Sequence, residues 1–472
     1  MNAQAQGGGG ASESLYAAHQ KIYPREVKGR YASLRNLAVW VLLGIYYVLP
    51  WIDWEGRQAV LFDLPARKFY IFGLTFWPQD FFFMAWLLII AALTLFFVTA
   101  VAGRLWCGYA CPQTVWTEAF LWMERITEGN HSQRRKLDRG PWTREKIFRK
   151  GAKQFLWIAF ALWTGFTFVA YFTPSHELAQ KLATFSAGPW ETFWVLFYGF
   201  ATYGNAGLLR EQVCKYMCPY ARFQSAMFDQ DTLIISYDET RGEPRGGRKR
   251  SADPRAAGLG DCIDCNMCVQ VCPTGIDIRQ GLQIECIACA ACVDVCNGVM
   301  DRMDYPRGLI RYTTHNAMEE RQPPRVLRPR VMIYGVLLLA LITGFGVAIA
   351  NRSTLLVDVI RDRNTLYREL PGGQVENVYT ITFVNKTEAP REYTVSAQGL
   401  EDLRLSFDTA LPISAEPGSV RRVPMRVQAP VSSVPPGGAE ITLRVEAVGP
   451  VPETVLRETR FIGPADGPGS LR

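Results

Sequence analysis

Histidine is almost missing from this chain: there are four in 472 residues, His19, His131, His176 and His315. None falls in an apolar run, which excludes a haem held between facing histidines inside a membrane. A G-x-G-x-x-G turn placed after a strand is also missing, which argues against an intrinsic nicotinamide or flavin site of that class. The last 122 residues hold no cysteine and no histidine, so metal chemistry and disulfide scaffolding are not expected there. No A-x-A-like cleavage site follows the first apolar run, which lies behind a polar arm carrying Gly7 to Gly10, so the run is read as retained.

What is abundant is apolar residues, 49% of the chain, and they are clustered. Five runs are long enough to read as membrane spans: Leu37 to Ile52, Phe81 to Ala102, Phe155 to Phe172, Trp190 to Leu209 and Val331 to Ala350. The segments between them alternate in Lys and Arg, with 5 in residues 1–36, 3 in 54–79, 11 in 104–153, 1 in 174–189 and 17 in 210–330. Basic segments stay in the cytoplasm, so the N-terminus and the cysteine-rich region belong inside and the C-terminal tail outside. The tail carries 14 Lys and Arg against 15 Asp and Glu; the net charge of +7 therefore belongs to the membrane and inner parts, where it needs no nucleic-acid partner. The basic stretch Arg245 to Arg250 reads as a topology determinant or solvated linker.

Eight of the twelve cysteines form two runs, Cys262-x2-Cys265-x2-Cys268-x3-Cys272-Pro273 and Cys286-x2-Cys289-x2-Cys292-x3-Cys296. Three thiolates at this interval wrap one face of an iron–sulfur cube, and the fourth cysteine of each run ligates the other cube. The spacing predicts two [4Fe–4S] clusters, one on Cys262, Cys265, Cys268 and Cys296, the other on Cys286, Cys289, Cys292 and Cys272. Structural zinc uses two Cys-x2-Cys pairs across a longer spacer and has no use for eight close thiolates. Asn297 stands where the second run would carry a proline.

The other four cysteines repeat a second pattern, Arg104-Leu-Trp-Cys107-Gly-Tyr-Ala-Cys111-Pro112 and Arg210-Glu-Gln-Val-Cys214-Lys-Tyr-Met-Cys218-Pro219. Each copy follows the inner end of a span, so both sit at one depth. A Cys-x3-Cys spacing on a helix puts two sulfurs on one side, and the following proline opens the turn at the second cysteine. Four thiols could converge there. Thiolates suit Cu(I) best, with Zn(II) or a further iron–sulfur centre as the alternatives, and Met217 is an added thioether candidate. Packing is the bland reading, since free cysteine behaves as a small apolar residue. Trp106, Tyr109, Trp116 and Trp122 beside the first copy read as interfacial belt residues rather than quinone contacts, and Val115 to Met123 as an interfacial or re-entrant helix.

From Thr354 short alternating segments begin: Leu355 to Val359, Val378 to Val384, Tyr393 to Ala397, Val420 to Val427, Ile441 to Val448 and Val455 to Phe461, separated by turn residues. That spacing predicts a sandwich. The fold class is a multi-domain membrane protein: an α-helical transmembrane bundle of about five spans, a cytoplasmic two-cluster ferredoxin-like domain and a C-terminal all-β immunoglobulin-like sandwich. The expected domains are an N-terminal arm (1–36), the bundle with both repeats (37–230), the cluster domain (231–330), a last span (331–350) and a periplasmic sandwich (351–472), the last offered as a docking surface or a passive stabilising domain.

The order of these features resembles the FixG/CcoG (RdxA) family, membrane ferredoxin-like proteins linked to assembly of cbb3-type cytochrome c oxidases. The carrying residues are the two Cys-x3-Cys-Pro copies, the runs from Cys262 to Cys296, and Asp362-Arg363-Asn364 with Leu366-Tyr367. The resemblance implies a cupric reductase of the bacterial inner membrane, with copper as substrate at Cys107, Cys111, Cys214 and Cys218. It also implies oxidase assembly machinery or copper chaperones as partners, an unknown cytoplasmic electron donor and a possible homo-oligomer. The span and repeat order also resembles quinol dehydrogenases of the NapH type, which pass electrons to an outside reductase. A copper-holding assembly factor without catalysis is the third reading.

Overall fold

The computed structural model describes residues 21–251, 258–319, 323, 325–362, 365–387, 389–449 and 452–464. Gly7 to Gly10, His19, Arg363 and Asn364 lie outside the described residues. The chain forms two compact units, one of residues 1–64 with 85–342, the other of residues 65–84 with 343–472.

The first unit holds all the cysteines and most of the helical residues. Among the described residues four helices are long and apolar enough to cross a membrane: Arg30–Trp51, Pro78–Ala102, Arg144–Ala170 and Pro329–Ala350. The fifth expected run is an α-helix only over Pro189–Thr202, 14 residues, and then widens into a π-helical stretch at Tyr203–Leu209. Helix Arg144–Ala170 and helix Pro189–Thr202 meet backbone to backbone: a Cβ on Gly165 would lie 2.1 Å from the Val195 carbonyl oxygen. Small residues at such crossings replace the hydrophobic driving force that lipid cannot supply. Helix Pro112–Glu128 occupies the stretch expected to be interfacial. Of its aromatics, Trp116 donates to the Tyr47 hydroxyl at 3.2 Å and packs edge-on to Tyr46. Trp106 and Trp122 are exposed.

The cluster region packs around Ile235, Ile278, Val293, Val299, Met300, Leu309 and Ile310. Strand Ile234–Tyr237 pairs antiparallel with Ile310–Thr313, closing the stretch that carries both cysteine runs. The residues just before the first long helix do not hang free. The Arg25 amide donates to the Gln270 carbonyl at 2.9 Å, and Val27 packs against Val271, Ile287 and Cys289. The helix itself starts at Arg30, earlier than the apolar run that announces it, and its first turn is capped from far away. The Asp294 carboxylate accepts the amides of Ala32 at 2.7 Å and Tyr31 at 3.3 Å. Gly29 makes room for it, because a Cβ there would sit 2.3 Å from the Asp294 side chain.

In the second unit, strands Arg404–Phe407, Val420–Pro430, Gln374–Asn385 and Leu355–Arg361 lie side by side in one antiparallel sheet, with Arg368–Leu370 also on Gln374–Asn385. Strands Ile413–Ala415, Arg391–Gln398, Ala439–Val448 and Glu453–Phe461 form the other. Inward-facing Tyr379, Phe383, Tyr393, Met425, Leu443 and Phe461 fill the space between, with Phe383 and Tyr393 stacked at 5.3 Å. This two-sheet, immunoglobulin-like arrangement follows from alternation, which buries every second side chain. Residues 65–84 join it through Asp80, a buried carboxylate that pairs with Arg352 and, at 2.9 Å, with Lys386.

Candidate functional site

Cys262, Cys265, Cys268 and Cys296 line one cavity, together with Tyr237 and Arg279. Cys272, Cys286, Cys289 and Cys292 line a second, and Cys268 lines this one too. Burial, and after it Cys268, Cys262 and Cys265, pushes the Cys296 thiol up; burial, and after it neighbouring thiols that include Cys272, pushes up Cys286, Cys289 and Cys292, with Cys268 also acting on Cys292.

A backbone device shapes both cavities. Asp264 and Asn266, which flank Cys265, have φ of 51° and 55°; Ala288 and Ala290, which flank Cys289, have φ of 53° and 58°. Left-handed residues without glycine cost energy, and two such residues around one cysteine turn successive amides inward. Such concave sets of N–H groups are the nests that hold anions and iron–sulfur centres. The amides of Ala288 and Ala291 reach the sulfurs of Cys286 and Cys289, those of Val269 and Ile310 the sulfurs of Cys268 and Cys296. Four thiols and inward amides around each cavity fit a [4Fe–4S] cube in donor chemistry. The first cavity reaches the surface, since Cys265 is exposed; in the second, Cys289 is buried.

The four repeat thiols are brought together as well. Cys107 sits on the short helix Leu105–Tyr109, while Cys111 leaves helical geometry (ψ 129°) and precedes helix Pro112–Glu128. Cys214 lies in the π-helical turn Val213–Met217, while Cys218 (ψ 110°) precedes helix Pro219–Ser225. Proline therefore opens both turns, as the sequence implies. Burial pushes the Cys107 thiol up to about 12, with Cys111, Cys214 and Cys218 opposing its charge further. Cys214 is pushed up to about 11, again by burial first and then by Cys111 and Cys218. Met217 is exposed. Among the described residues no three His, Cys, Asp or Glu side chains stand at the spacing of a single bound ion. For tetrahedral thiolates with metal–sulfur bonds of about 2.3 Å that spacing is below about 4 Å, so the four thiols converge without closing on one point.

Several residues that hold this site carry no metal-ligand signature. The Cys107 thiol donates to Gln224 Oε1 at 3.4 Å, and the Gln224 amide, fully buried, donates to the Gly103 carbonyl at 3.0 Å. Gln113 of the first copy donates to the Arg210 carbonyl of the second at 3.0 Å. Arg210 in turn meets the buried Glu124 at 3.1 Å, and Glu124 also pairs with Arg134 at 2.9 Å. The one sequence signal for these partners is the arginine heading each copy.

The repeat site and the second cluster cavity touch. Gly108, next to Cys107, faces the chain between Cys286 and Cys289: a Cβ on it would lie 2.8 Å from the Ile287 carbonyl oxygen and 2.9 Å from that of Ala288. Cys107 packs against the buried cluster of Val271, Ile287, Cys289, Ala291 and Val295. A cavity of about 110 Å³ opens beside this contact, with Cys214 and Cys289 in its walls along with Arg35, Gln113 and Glu118. Arg35 donates to the Cys289 carbonyl at 3.2 Å.

Apolar helices, eight cysteines around two amide-lined cavities and a two-sheet domain define a membrane iron–sulfur redox protein with an immunoglobulin-like domain. Residues 209–315 match the family described as 4Fe-4S dicluster domain, and residues 84–128 match 4Fe-4S binding domain. Residues 345–464 match the IG-like fold at the C-terminal of FixG. The chain is 42% identical to protein RdxB of Cereibacter sphaeroides over 84% of this chain and 86% of that protein. It is 39% identical to RdxA of the same organism, over 93% and 96%. To the nitrogen fixation protein FixG of Rhizobium meliloti it is 38% identical over 82% and 80%. The chain belongs to the FixG family.

Proposed function

We propose that this protein reduces Cu(II) to Cu(I) to supply copper for cbb3-type oxidase assembly. The observation that supports this reading best is the seat of Gly108 on Ile287 and Ala288, which sets Cys107 of the repeat site against the second cluster cavity. Cys262, Cys265, Cys268 and Cys296 would hold one [4Fe–4S] cluster, and Cys272, Cys286, Cys289 and Cys292 the other. When bound, such clusters supply one-electron storage and transfer. The chain's own residues do the rest. Cys107, Cys111, Cys214 and Cys218 take copper as substrate, each releasing its proton as it ligates, and soft thiolates favour the Cu(I) product. Gln224 fixes the Cys107 sulfur, and the exposed edge at Cys265 is the entry face for a cytoplasmic electron donor. In this reading the cluster region faces the cytoplasm and residues 351–472 the periplasm, where oxidase assembly factors or copper chaperones dock.

The test is anaerobic. Detergent-purified protein is reduced chemically, freed of reductant and given Cu(II), while recovery of the bleached cluster absorbance is followed with a Cu(I) chelator in parallel. Reoxidation matched to Cu(I), and lost in Cys107→Ser with Cys214→Ser, is the expected result. Clusters that stay reduced with copper but reoxidise with a quinone would favour the quinol dehydrogenase instead.

A second reading keeps the site and changes its occupant: the four repeat thiols hold a further iron–sulfur centre. It is favoured by the match of residues 84–128 to a 4Fe-4S binding domain, a segment whose cysteines are Cys107 and Cys111 alone. Iron beyond that of two cubes, lost in the same double variant, would establish it.

A further inference from the structure

Arg104 heads the first Cys-x3-Cys-Pro copy and is 5% exposed. Its guanidinium donates to three backbone carbonyls. Two belong to the second cluster loop, Ile284 and, at 3.2 Å, Cys286; the third is Ala221, on the helix that follows the second copy. Among the described residues it meets no carboxylate, in contrast to Arg210 at the head of the other copy, which pairs with Glu124. A buried cation is ordinarily paired, because stripping its water costs more than neutral dipoles return. Arg104 lies three residues ahead of Cys107, and one of the carbonyls it meets is that of Cys286 itself. One arginine therefore ties the first repeat copy to the second cluster loop and to the helix after the second copy.

We propose that Arg104 is a positioning residue for electron transfer from the second cluster to the repeat thiols. Its charge, held against the backbone of the second cluster loop, sets the potential of that cluster. The inference rests on the relay reading above. A positive charge held near a redox centre stabilises the form with the extra electron, so removing it lowers the midpoint potential.

The experiment is an EPR-monitored redox titration of the full-length protein in detergent without copper, so that its failure is distinct from failure of copper reduction. Arg104→Met keeps the side-chain bulk and removes the charge, Arg104→Gln keeps hydrogen bonding, and Arg104→Lys keeps the charge. Expected is a fall in one of the two cluster midpoints in the Met and Gln variants, the other midpoint staying in place, with the Lys variant close to the unmodified protein. Loss of one cluster signal in Met and Gln but not in Lys reports the same charge requirement through occupancy and also supports the proposal. Unchanged midpoints in all three variants overturn it. Equal shifts or equal cluster loss in all three, Lys included, also overturn it, because shape rather than charge would then be what Arg104 supplies.

Discussion

Gly108 lies so close to the Ile287 carbonyl oxygen that a methyl group on it would be 2.8 Å away, tighter than real side chains pack. The absence of a side chain at this one position lets the first repeat copy rest on the chain between two cysteines of the second cavity. Gly108→Ala is expected to push the two apart by a few tenths of an ångström or more. Stopped-flow reoxidation of dithionite-reduced protein by Cu(II) should then slow, while the iron content and the rate of dithionite reduction stay as they were. An unchanged copper-driven rate would mean that electrons leave by another route.

Copper capture by the repeat thiols should depend on pH with a definite sign. Burial raises Cys107 to about 12 and Cys214 to about 11, so at neutral pH both are protonated when free. Ligation displaces those protons, and apparent Cu(I) affinity should therefore rise steadily from pH 6 to pH 8. Competition with a chelator of known pH behaviour measures it. A flat profile would remove these two thiols from the ligand set.

Asp294 caps the first long helix from within the second cysteine run. Replacing an N-terminal cap by alanine costs about 1 kcal/mol. Asp294→Ala should lower the thermal midpoint of the first unit, and Asp294→Asn, which still accepts an amide, should recover most of the loss. Circular dichroism at 222 nm on the detergent-solubilised protein reports both.

Asp80 gives the second unit a comparable test. It is 4% exposed and answers both Arg352 and Lys386, so Asp80→Asn leaves two cations under-compensated. Breaking a buried pair from one side costs about 3 kcal/mol or more. Differential scanning calorimetry should show the transition of that unit falling by several degrees, with the cluster absorbance at room temperature unaffected.

The two cysteine runs were legible because ligand spacing is a local property of the chain, and alternation announced six of the sandwich strands for the same reason. Strands Arg368–Leu370, Arg404–Phe407 and Ile413–Ala415 run only three or four residues, too few for their pattern to stand out from the turns around them, and they escaped. The pairing of the two Cys-x3-Cys-Pro copies was readable as a repeat, but what ties them was not. Gln113, Gln224 and Arg104 act across more than ninety residues of sequence. Ala288 and Ala290 hide their left-handed backbone because alanine, unlike glycine, carries no such signal. The run from Trp190 to Leu209 looked like an ordinary span; hydropathy does not register where an α-helix widens into a π-helical stretch just ahead of Arg210.

Asp294 follows Ala32 by 262 residues. During synthesis the helix that opens the membrane part therefore leaves the ribosome long before its partner exists, and its first turn is finished only when the second cysteine run has been made and folded. Proteins grow from the N-terminus and their parts ordinarily fold in that order; here the helix from Arg30 takes its cap from a residue made 262 positions after Ala32. A nascent chain arrested ahead of residue 294 would lack the carboxylate that accepts the leading amides of that helix.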